Sequence, residues 1–241
     1  MAIGPDREYL SRVATTAQEA ADIDVGLRKY MLGVYNYMMI ALAITGLVAY
    51  AVASSDALIE MLVLSPFRWV PLLGSLGIAF FFGFRIQSMS AGTAQTLFWV
   101  YSVLNGLWLA AIFLAYTDAS IARTFFVTAG TFAGMSIYGY TTKRDLSSLG
   151  SFLVMGLIGL ILAMVVNMFL VSSALDFAIS VIGVLIFTGL TAFDTQKIKS
   201  WYAESDGTAV AVKKTVYGAL QLYLDFINLF LFMLRFLGNR E

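Results

Sequence analysis

The sequence contains no cysteine and no histidine. Their absence excludes disulfides, zinc–thiolate sites, haem–histidine ligation, Ser-His-Asp triads and cysteine nucleophiles, so any chemistry must depend on carboxylates. Charged side chains make up only 12% of the 241 residues, whereas soluble globular proteins have about 25%. Lys plus Arg and Asp plus Glu number 15 each. Without an excess of positive charge, nucleic acid is excluded as a main partner.

Hydrophobic residues are abundant, at 60% of the chain, and 15% of the residues are aromatic. This composition predicts a protein embedded in a lipid bilayer, whose core of about 30 Å needs roughly 17–25 residues of apolar helix. Six intervals without a charged residue, each 16 to 32 residues long, predict six transmembrane helices: 30–55, 69–84, 86–117, 124–142, 146–175 and 177–193.

A seventh apolar stretch runs from Val216 to Leu237, with Asp225 near its middle and Arg235 at its end. The predicted fold class is therefore an all-α integral membrane protein with seven transmembrane helices. A re-entrant last helix, which would return the C-terminus to the side where it started, stays open as an alternative. Residues 1–28 are polar and predict a cytoplasmic tail, and residues 29–241 predict one transmembrane domain.

The distribution of positive charge predicts the orientation. If the first span starts in the cytoplasm, 11 of the 15 Lys and Arg residues fall in cytoplasmic segments. The positive-inside rule then places the N-terminus in the cytoplasm and, for seven crossings, the C-terminus outside. In the predicted fourth span, Gly130 and Gly134 form a GxxxG pattern, which predicts close packing against another helix.

Carboxylates inside the membrane are the candidate functional groups. Asp225 lies within a span, where a charged Asp costs roughly 2.5–3.5 kcal/mol, so it must face protein or an internal water pocket. Asp194 ends the sixth span, and consecutive antiparallel helices can bring it close to Asp225. Two such carboxylates would share a proton and titrate in two steps, which predicts a proton-sensitive latch. Arg85, at the end of the second span, is the predicted counter-ion.

Three motifs occur in order along the chain: Tyr138-Gly-Tyr-Thr-Thr-Lys-Arg-Asp-Leu146, Gly189-Leu-Thr-Ala-Phe-Asp-Thr-Gln-Lys-Ile198 and Leu222-Tyr-Leu-Asp-Phe-Ile-Asn-Leu-Phe230. They closely resemble the Bax inhibitor-1 family, also called transmembrane Bax inhibitor motif proteins, and most of all its bacterial inner-membrane branch. The resemblance implies seven helices with the last one central. It also implies a pH-sensitive calcium leak, in which Asp194 and Asp225 interact with Arg85.

The main hypothesis is a calcium or cation leak channel in the inner (plasma) membrane, gated by Asp194, Asp225 and Arg85. The two aspartates are also the candidate calcium site, with calcium as the transported ion and no resident cofactor. Two carboxylates alone do not select calcium over protons or magnesium, so the ion identity rests on the resemblance. One alternative is a regulatory protein that binds other membrane proteins or a protease without transport. An intramembrane aspartyl protease is disfavoured because neither aspartate has a Gly-x-Gly-Asp context, and no enzyme activity is expected.

Overall fold

The computed structural model of the protein describes residues 5–239, with side chains from residue 24 onward. Over this range the chain is helical, without a β-strand. Eight α-helices follow one another: α1 (Pro5–Ala53), α2 (Asp56–Ile59), α3 (Trp69–Arg85), α4 (Ala91–Leu109), α5 (Asp118–Thr141), α6 (Ser147–Leu170), α7 (Ser173–Ser200) and α8 (Thr208–Leu237). A π-turn (Glu60–Leu64) and two 3-10 segments (Pro66–Arg68 and Ala110–Leu114) complete the fold.

Local sequence explains where several helices begin. Ser90, Thr117 and Ser172 each precede a helix and accept a hydrogen bond from a backbone N–H of its first turn. This is the usual role of Ser and Thr at helix N-termini. Pro66 and Pro71 lie in the first turns of the 3-10 segment and of α3, where a proline removes no helical hydrogen bond. The long helices are therefore free of internal proline kinks, as the sequence predicts.

Contacts between helix ends define two sides of the bundle. On the first, called the Arg28 side, Lys199 Nζ donates to the Tyr140 carbonyl and Lys213 Nζ to the Gln87 carbonyl, both at 2.8 Å. On the opposite side, called the Ala53 side, Arg235 Nη1 lies 3.4 Å from Asp176 Oδ1. The long helices therefore alternate in direction. Because α8 is one continuous helix that reaches the Ala53 side, the described structure contains no re-entrant hairpin there.

Within the described part of the chain, six helical segments are long and apolar enough to cross a membrane: 24–53, 66–85, 91–114, 147–170, 173–200 and 208–237. Helix α5, which the sequence predicts as a span over 124–142, has the length but is less apolar because it is rich in Ser, Thr and Gly. Three of its threonine hydroxyl groups are satisfied within the helix. Thr128, Thr131 and Thr141 each donate to the carbonyl four residues earlier. Such bonds limit the cost of polar groups in an apolar medium.

Burial differs strongly between helices. In α6, large apolar side chains such as Phe152, Met155 and Leu162 are more than half exposed, as expected for a surface that faces lipid. In the most apolar part of α8, by contrast, 61% of the residues are buried. Helix α8 packs against α1, α4, α5 and α7. It begins at Thr208, earlier than the apolar stretch from Val216, because Lys213 and Lys214 reach carbonyl oxygens on the Arg28 side.

The close helix contacts occur at other glycines than the sequence suggests. A Cβ atom at Gly130 or Gly134 would meet nothing within 4 Å, so the predicted packing role of this GxxxG pattern is wrong. A Cβ atom at Gly139 would instead clash with the carbonyl of Ala192 on α7. At Gly106 it would lie 2.7 Å from the Thr45 carbonyl of α1. Helix backbones therefore touch at single glycines, and a repeated small-residue pattern is not required.

Candidate functional site

Asp225 lies deep in the bundle. It is 17 residues beyond Thr208 and 12 before Leu237 on α8, which is about 25 Å and 18 Å along the axis. The residue is only 4% exposed. Its Oδ2 atom is buried and has no hydrogen-bond partner among the described residues. A buried polar atom without a partner is costly, so such an atom needs an explanation.

The neighbouring Asp194 offers an explanation for this unpartnered oxygen atom. It lies on α7, six residues before Ser200, and its side chain is 14% exposed. The antiparallel packing of α7 and α8, with Gly218 against Ile198 and Gly183 against Phe232, brings the two aspartates to the same level. Their carboxyl groups lie within hydrogen-bonding reach of each other. Since two carboxylates can only accept hydrogen bonds, a direct hydrogen bond between them would need a proton on one of the two groups.

Lys197 supplies the positive charge beside this pair. Its Nζ atom lies 3.5 Å from Asp194 Oδ1, one helical turn along α7, and its side chain is 38% exposed. The ammonium group also lies 5.6 Å from the ring centres of Phe193 and Trp201. The pair is therefore linked to the solvent-facing end of α7 by a partly exposed ion pair. The i, i+3 spacing of Asp194 and Lys197 is the sequence signal for this contact.

Arg85 occupies a different place. It ends α3 on the Arg28 side and is exposed. Among the described residues, no ion pair joins its guanidinium to Asp194 or Asp225. Helix α3 packs mainly on α4, which keeps it away from α7. The structure thus brings the two predicted aspartates together and leaves the third predicted residue outside their contact.

Two more polar residues lie at this level of the bundle. Gln221 precedes Asp225 by one turn of α8, and Thr195 follows Asp194 on α7. Gln221 Oε1 and Thr195 Oγ1 are buried and have no hydrogen-bond partner among the described residues. Neither Gln221 nor Thr195 is among the site residues predicted from the sequence. The i, i+4 spacing of Gln221 and Asp225 could have indicated the first, because it places both on one face of α8.

The donor set is small for a tightly held metal ion. In the part of the chain that the structure describes, no three Asp, Glu, His or Cys side chains group closely enough to hold a metal. Calcium takes 6–8 oxygen ligands. Asp194 and Asp225 supply at most four carboxylate oxygens, and Thr195 and Gln221 add neutral ones. These residues alone therefore do not complete the coordination of a tightly held calcium ion.

A second polar group on α8 is fully satisfied. The Tyr223 hydroxyl lies 2.7 Å from Thr45 Oγ1, which donates to the Ser102 carbonyl at 2.9 Å. The Tyr223 ring makes edge contacts with Tyr101 and Phe98, with ring centres 5.5 and 6.2 Å away. These contacts tie α8 to α1 and α4, so Tyr223 has a structural role.

Comparisons with known proteins agree with the three sequence motifs. The family described as "Inhibitor of apoptosis-promoting Bax1" matches residues 27–241. Protein RP147 of Rickettsia prowazekii (strain Madrid E) is 49% identical over 231 residues, which cover 96% of this chain and 98% of its own. The inner membrane protein YbhL of Escherichia coli (strain K12) is 49% identical over 219 residues, or 90% and 94% of the two chains.

A more distant relative, a membrane protein of Streptococcus pyogenes serotype M1, is 36% identical over 225 residues, or 90% of this chain and 96% of its own. The predicted resemblance is therefore confirmed. Because the family match covers nearly all of the described helices and the relatives align over almost their full lengths, the chain belongs to the Bax inhibitor-1 family of multi-pass membrane proteins.

Proposed function

We propose that the protein is a pH-sensitive cation leak of the inner membrane, in which Asp194 and Asp225 form the proton-sensitive element. The observation that carries the proposal is the buried proximity of these two carboxyl groups, with no hydrogen-bond partner for Asp225 Oδ2 among the described residues. Ionisable residues deep in a membrane bundle are functional by default, because their insertion is costly. Two carboxyl groups at short distance respond to pH as a unit.

Calcium is the proposed transported ion, and it is cargo for the protein, not a resident cofactor. Carboxylate and amide oxygens are suitable ligands for a hard divalent cation. Conduction also requires that binding be weak enough for the ion to leave. Asp194, Asp225, Thr195 and Gln221 meet both conditions, since they supply oxygens but too few to enclose the ion.

The proposed architecture has seven crossings, with α8 central and α5 counted as a span. The burial of α8 and its packing on four helices support this arrangement. For the orientation, nine described Lys and Arg residues lie on the Arg28 side and only Arg68, Arg123 and Arg235 on the Ala53 side. The positive-inside rule places the Arg28 side in the cytoplasm. A reporter fused after Glu241 that is active only outside supports this orientation, and one active only in the cytoplasm contradicts it.

The role of Arg85 stays a prediction. In the described conformation the cation beside Asp194 is Lys197, at 3.5 Å, and Arg85 is exposed. The variants Arg85→Ala and Lys197→Ala separate the two assignments. If Lys197 is the relevant cation, only its loss shifts the pH dependence of flux. A shift with Arg85→Ala alone would indicate a second conformation in which Arg85 reaches the pair.

The decisive experiment is calcium flux into liposomes that contain only the purified protein, measured over a pH series. The proposal predicts flux from the pure protein, with a pH profile that changes in both Asp194→Asn and Asp225→Asn. Glu204→Gln is the matched control, because it removes an exposed carboxylate from the loop between α7 and α8. Absence of flux from correctly folded protein would contradict the proposal. It would favour a regulatory protein that acts through membrane partners.

A further inference from the structure

The strongest unexplained feature is a groove between α1 and α5. Helix α1 packs on α4 and α8, and α5 packs on α7 and α8, so the two helices face each other across α8. The half of the groove on the Arg28 side has a volume of about 630 Å³. Its floor and walls are mostly apolar and include Met31, Met38, Phe132, Ala133 and Phe226. Nothing in the proposed leak pathway uses it.

The groove is open sideways, and its length fits one leaflet. Ala133 and Ile137, which line it on α5, are exposed although they lie within a helix of the bundle. Along α1 the groove extends from Arg28 to Leu42, or about 21 Å at 1.5 Å per residue. Half of a bilayer core is about 15 Å thick. The groove therefore spans one layer of acyl chains together with its interface.

The mouth of the groove is positively charged. Arg28 lines it and is exposed. Tyr140, which lines the opposite wall, accepts a hydrogen bond from Lys199 Nζ through its carbonyl, and the same ammonium lies 4.7 Å from its ring centre. The nearest acidic residue along α1 is Asp24, one turn further from the groove. A phosphate group at this mouth would meet the Arg28 guanidinium, and the Lys199 ammonium held at Tyr140 adds positive charge nearby.

A buried hydroxyl lies one turn below the mouth. Ser136 lines the groove and is 5% exposed, and its Oγ atom has no hydrogen-bond partner among the described residues. The neighbouring hydroxyls of Thr128, Thr131 and Thr141 on the same helix donate to carbonyls four residues earlier. Ser136 does not. Its unused donor lies in the groove, one helical turn from Tyr140 at the mouth.

We propose that the groove between α1 and α5 binds one anionic phospholipid of the leaflet on the Arg28 side. The phosphate lies at Arg28, an ester carbonyl accepts a hydrogen bond from Ser136 Oγ, and an acyl chain lies along Met38, Phe132 and Phe226. This site is distinct from the aspartate pair, and it does not depend on whether the protein conducts ions.

The test is native mass spectrometry of the full chain, titrated with mixtures of phosphatidylglycerol and phosphatidylcholine. We expect one phosphatidylglycerol to be retained per chain with a several-fold preference, because both lipids carry the phosphate but only phosphatidylcholine brings a positively charged choline group next to Arg28. Arg28→Gln should remove the preference, and Ser136→Ala should weaken retention several-fold. Lys143→Gln, which removes an exposed charge on the same side outside the groove, is the matched control.

A second pair of variants tests the acyl-chain part. Ala133→Trp should fill the groove and prevent retention, whereas Gly134→Trp, directed into open space, should retain lipid like the wild type. Melting temperatures in detergent confirm that each variant folds. Equal retention of both lipids by the wild type, or normal retention by Ala133→Trp, overturns the proposal. Displacement by inorganic phosphate, or a dimer that dissociates in Ala133→Trp, overturns it too, because the occupant is then a free anion or a second chain.

Discussion

Tyr223 and Asp225 lie two residues apart on the most buried helix, and their surroundings differ completely. The Tyr223 hydroxyl is hydrogen-bonded to Thr45 Oγ1, and the Tyr223 ring packs on the rings of Phe98 and Tyr101. The Asp225 carboxyl has one buried oxygen without a partner and a second carboxyl group beside it. Satisfied polar groups stabilise a bundle and fix its geometry, whereas unsatisfied ones are retained where function requires them. The face of α8 towards α1 and α4 is therefore the structural one, and the face towards α7 is the proposed functional face.

The largest expected effect is a loss of stability at the contact between α5 and α7, close to Asp194. A side chain at Gly139 would collide with the Ala192 carbonyl, two residues before Asp194. Overpacking of this kind costs about 3 kcal/mol or more, so Gly139→Leu should lower the melting temperature sharply or prevent folding. Gly134→Leu on the same helix meets open space and is the matched control. Equal melting temperatures for the two variants would show that α5 and α7 are not in close contact there.

The next largest effect is functional. In Asp225→Asn one carboxyl group of the pair is lost, and an amide can still hydrogen-bond to Asp194 without a shared proton. We expect the pH profile of calcium flux to change from two steps to one, while the melting temperature is kept or raised. The Asp194→Asn variant should also give one step, and the double variant should give none, because no carboxyl group of the pair remains. The effects of the two single variants on stability should not be additive, because residues of one network are coupled. Additive effects would show that the two aspartates act separately.

Tyr223→Phe should show the opposite pattern. Removal of the hydroxyl leaves Thr45 with its bond to the Ser102 carbonyl but without Tyr223. A lost buried hydrogen bond costs about 1 kcal/mol, so thermal or denaturant unfolding in detergent should show a modest loss of stability. The pH profile of flux should remain that of the wild type. A changed pH profile would mean that the two faces of α8 are coupled.

Much of this comparison could be predicted from the sequence, because charges are rare in the chain. Long uncharged intervals located the helices, and Asp225 was conspicuous inside one of them. The antiparallel arrangement of consecutive spans then predicted its neighbour, Asp194. What the sequence could not provide was side-chain placement. Lys197 rather than Arg85 lies beside Asp194, because α3 packs on α4.

The packing glycines could not be predicted for the same reason. Gly130 and Gly134 form the more recognisable pattern, yet they face open space, and the isolated Gly139 and Gly106 make the close contacts. A pattern of small residues indicates that a face can pack, and only the positions of neighbouring helices determine whether it does. The unpaired atoms of Ser136, Thr195 and Gln221 are likewise visible only in the folded chain.

A smaller effect is expected for the cation of the functional face. Lys197 is more than a third exposed and lies 3.5 Å from Asp194, and exposed ion pairs contribute only about 0–1 kcal/mol. Lys197→Gln should therefore shift the pH profile of flux slightly and leave its number of steps unchanged. High salt should reduce the difference from the wild type, since salt screens the pair. A salt-independent difference would assign Lys197 a role other than its charge.

The smallest expected effect is on stability, at Asp145 in the connection between α5 and α6. A hydrogen bond from the Ser147 side chain and a second one, of 2.8 Å, from the Ser147 backbone N–H to Asp145 Oδ1 lower the pKa of the Asp145 carboxyl group below its ordinary value of 3.8. A lowered folded-state pKa stabilises the fold above the unfolded-state pKa, and that stabilisation is lost as the pH falls through the folded-state value. Asp145→Asn should lower the melting temperature slightly at neutral pH and not at low pH, with no change in the flux profile. An effect that grows towards low pH would contradict this assignment.

Infrared titration of the carboxyl groups in the reconstituted protein tests directly whether Asp194 and Asp225 share a proton. The account predicts a protonated-carboxyl band that titrates in two steps in the wild type and in one step in each of Asp194→Asn and Asp225→Asn. Tyr223→Phe should keep both steps. A wild-type band that titrates in a single step, and keeps the same midpoint when either aspartate is replaced, would show that the two carboxyl groups do not share a proton.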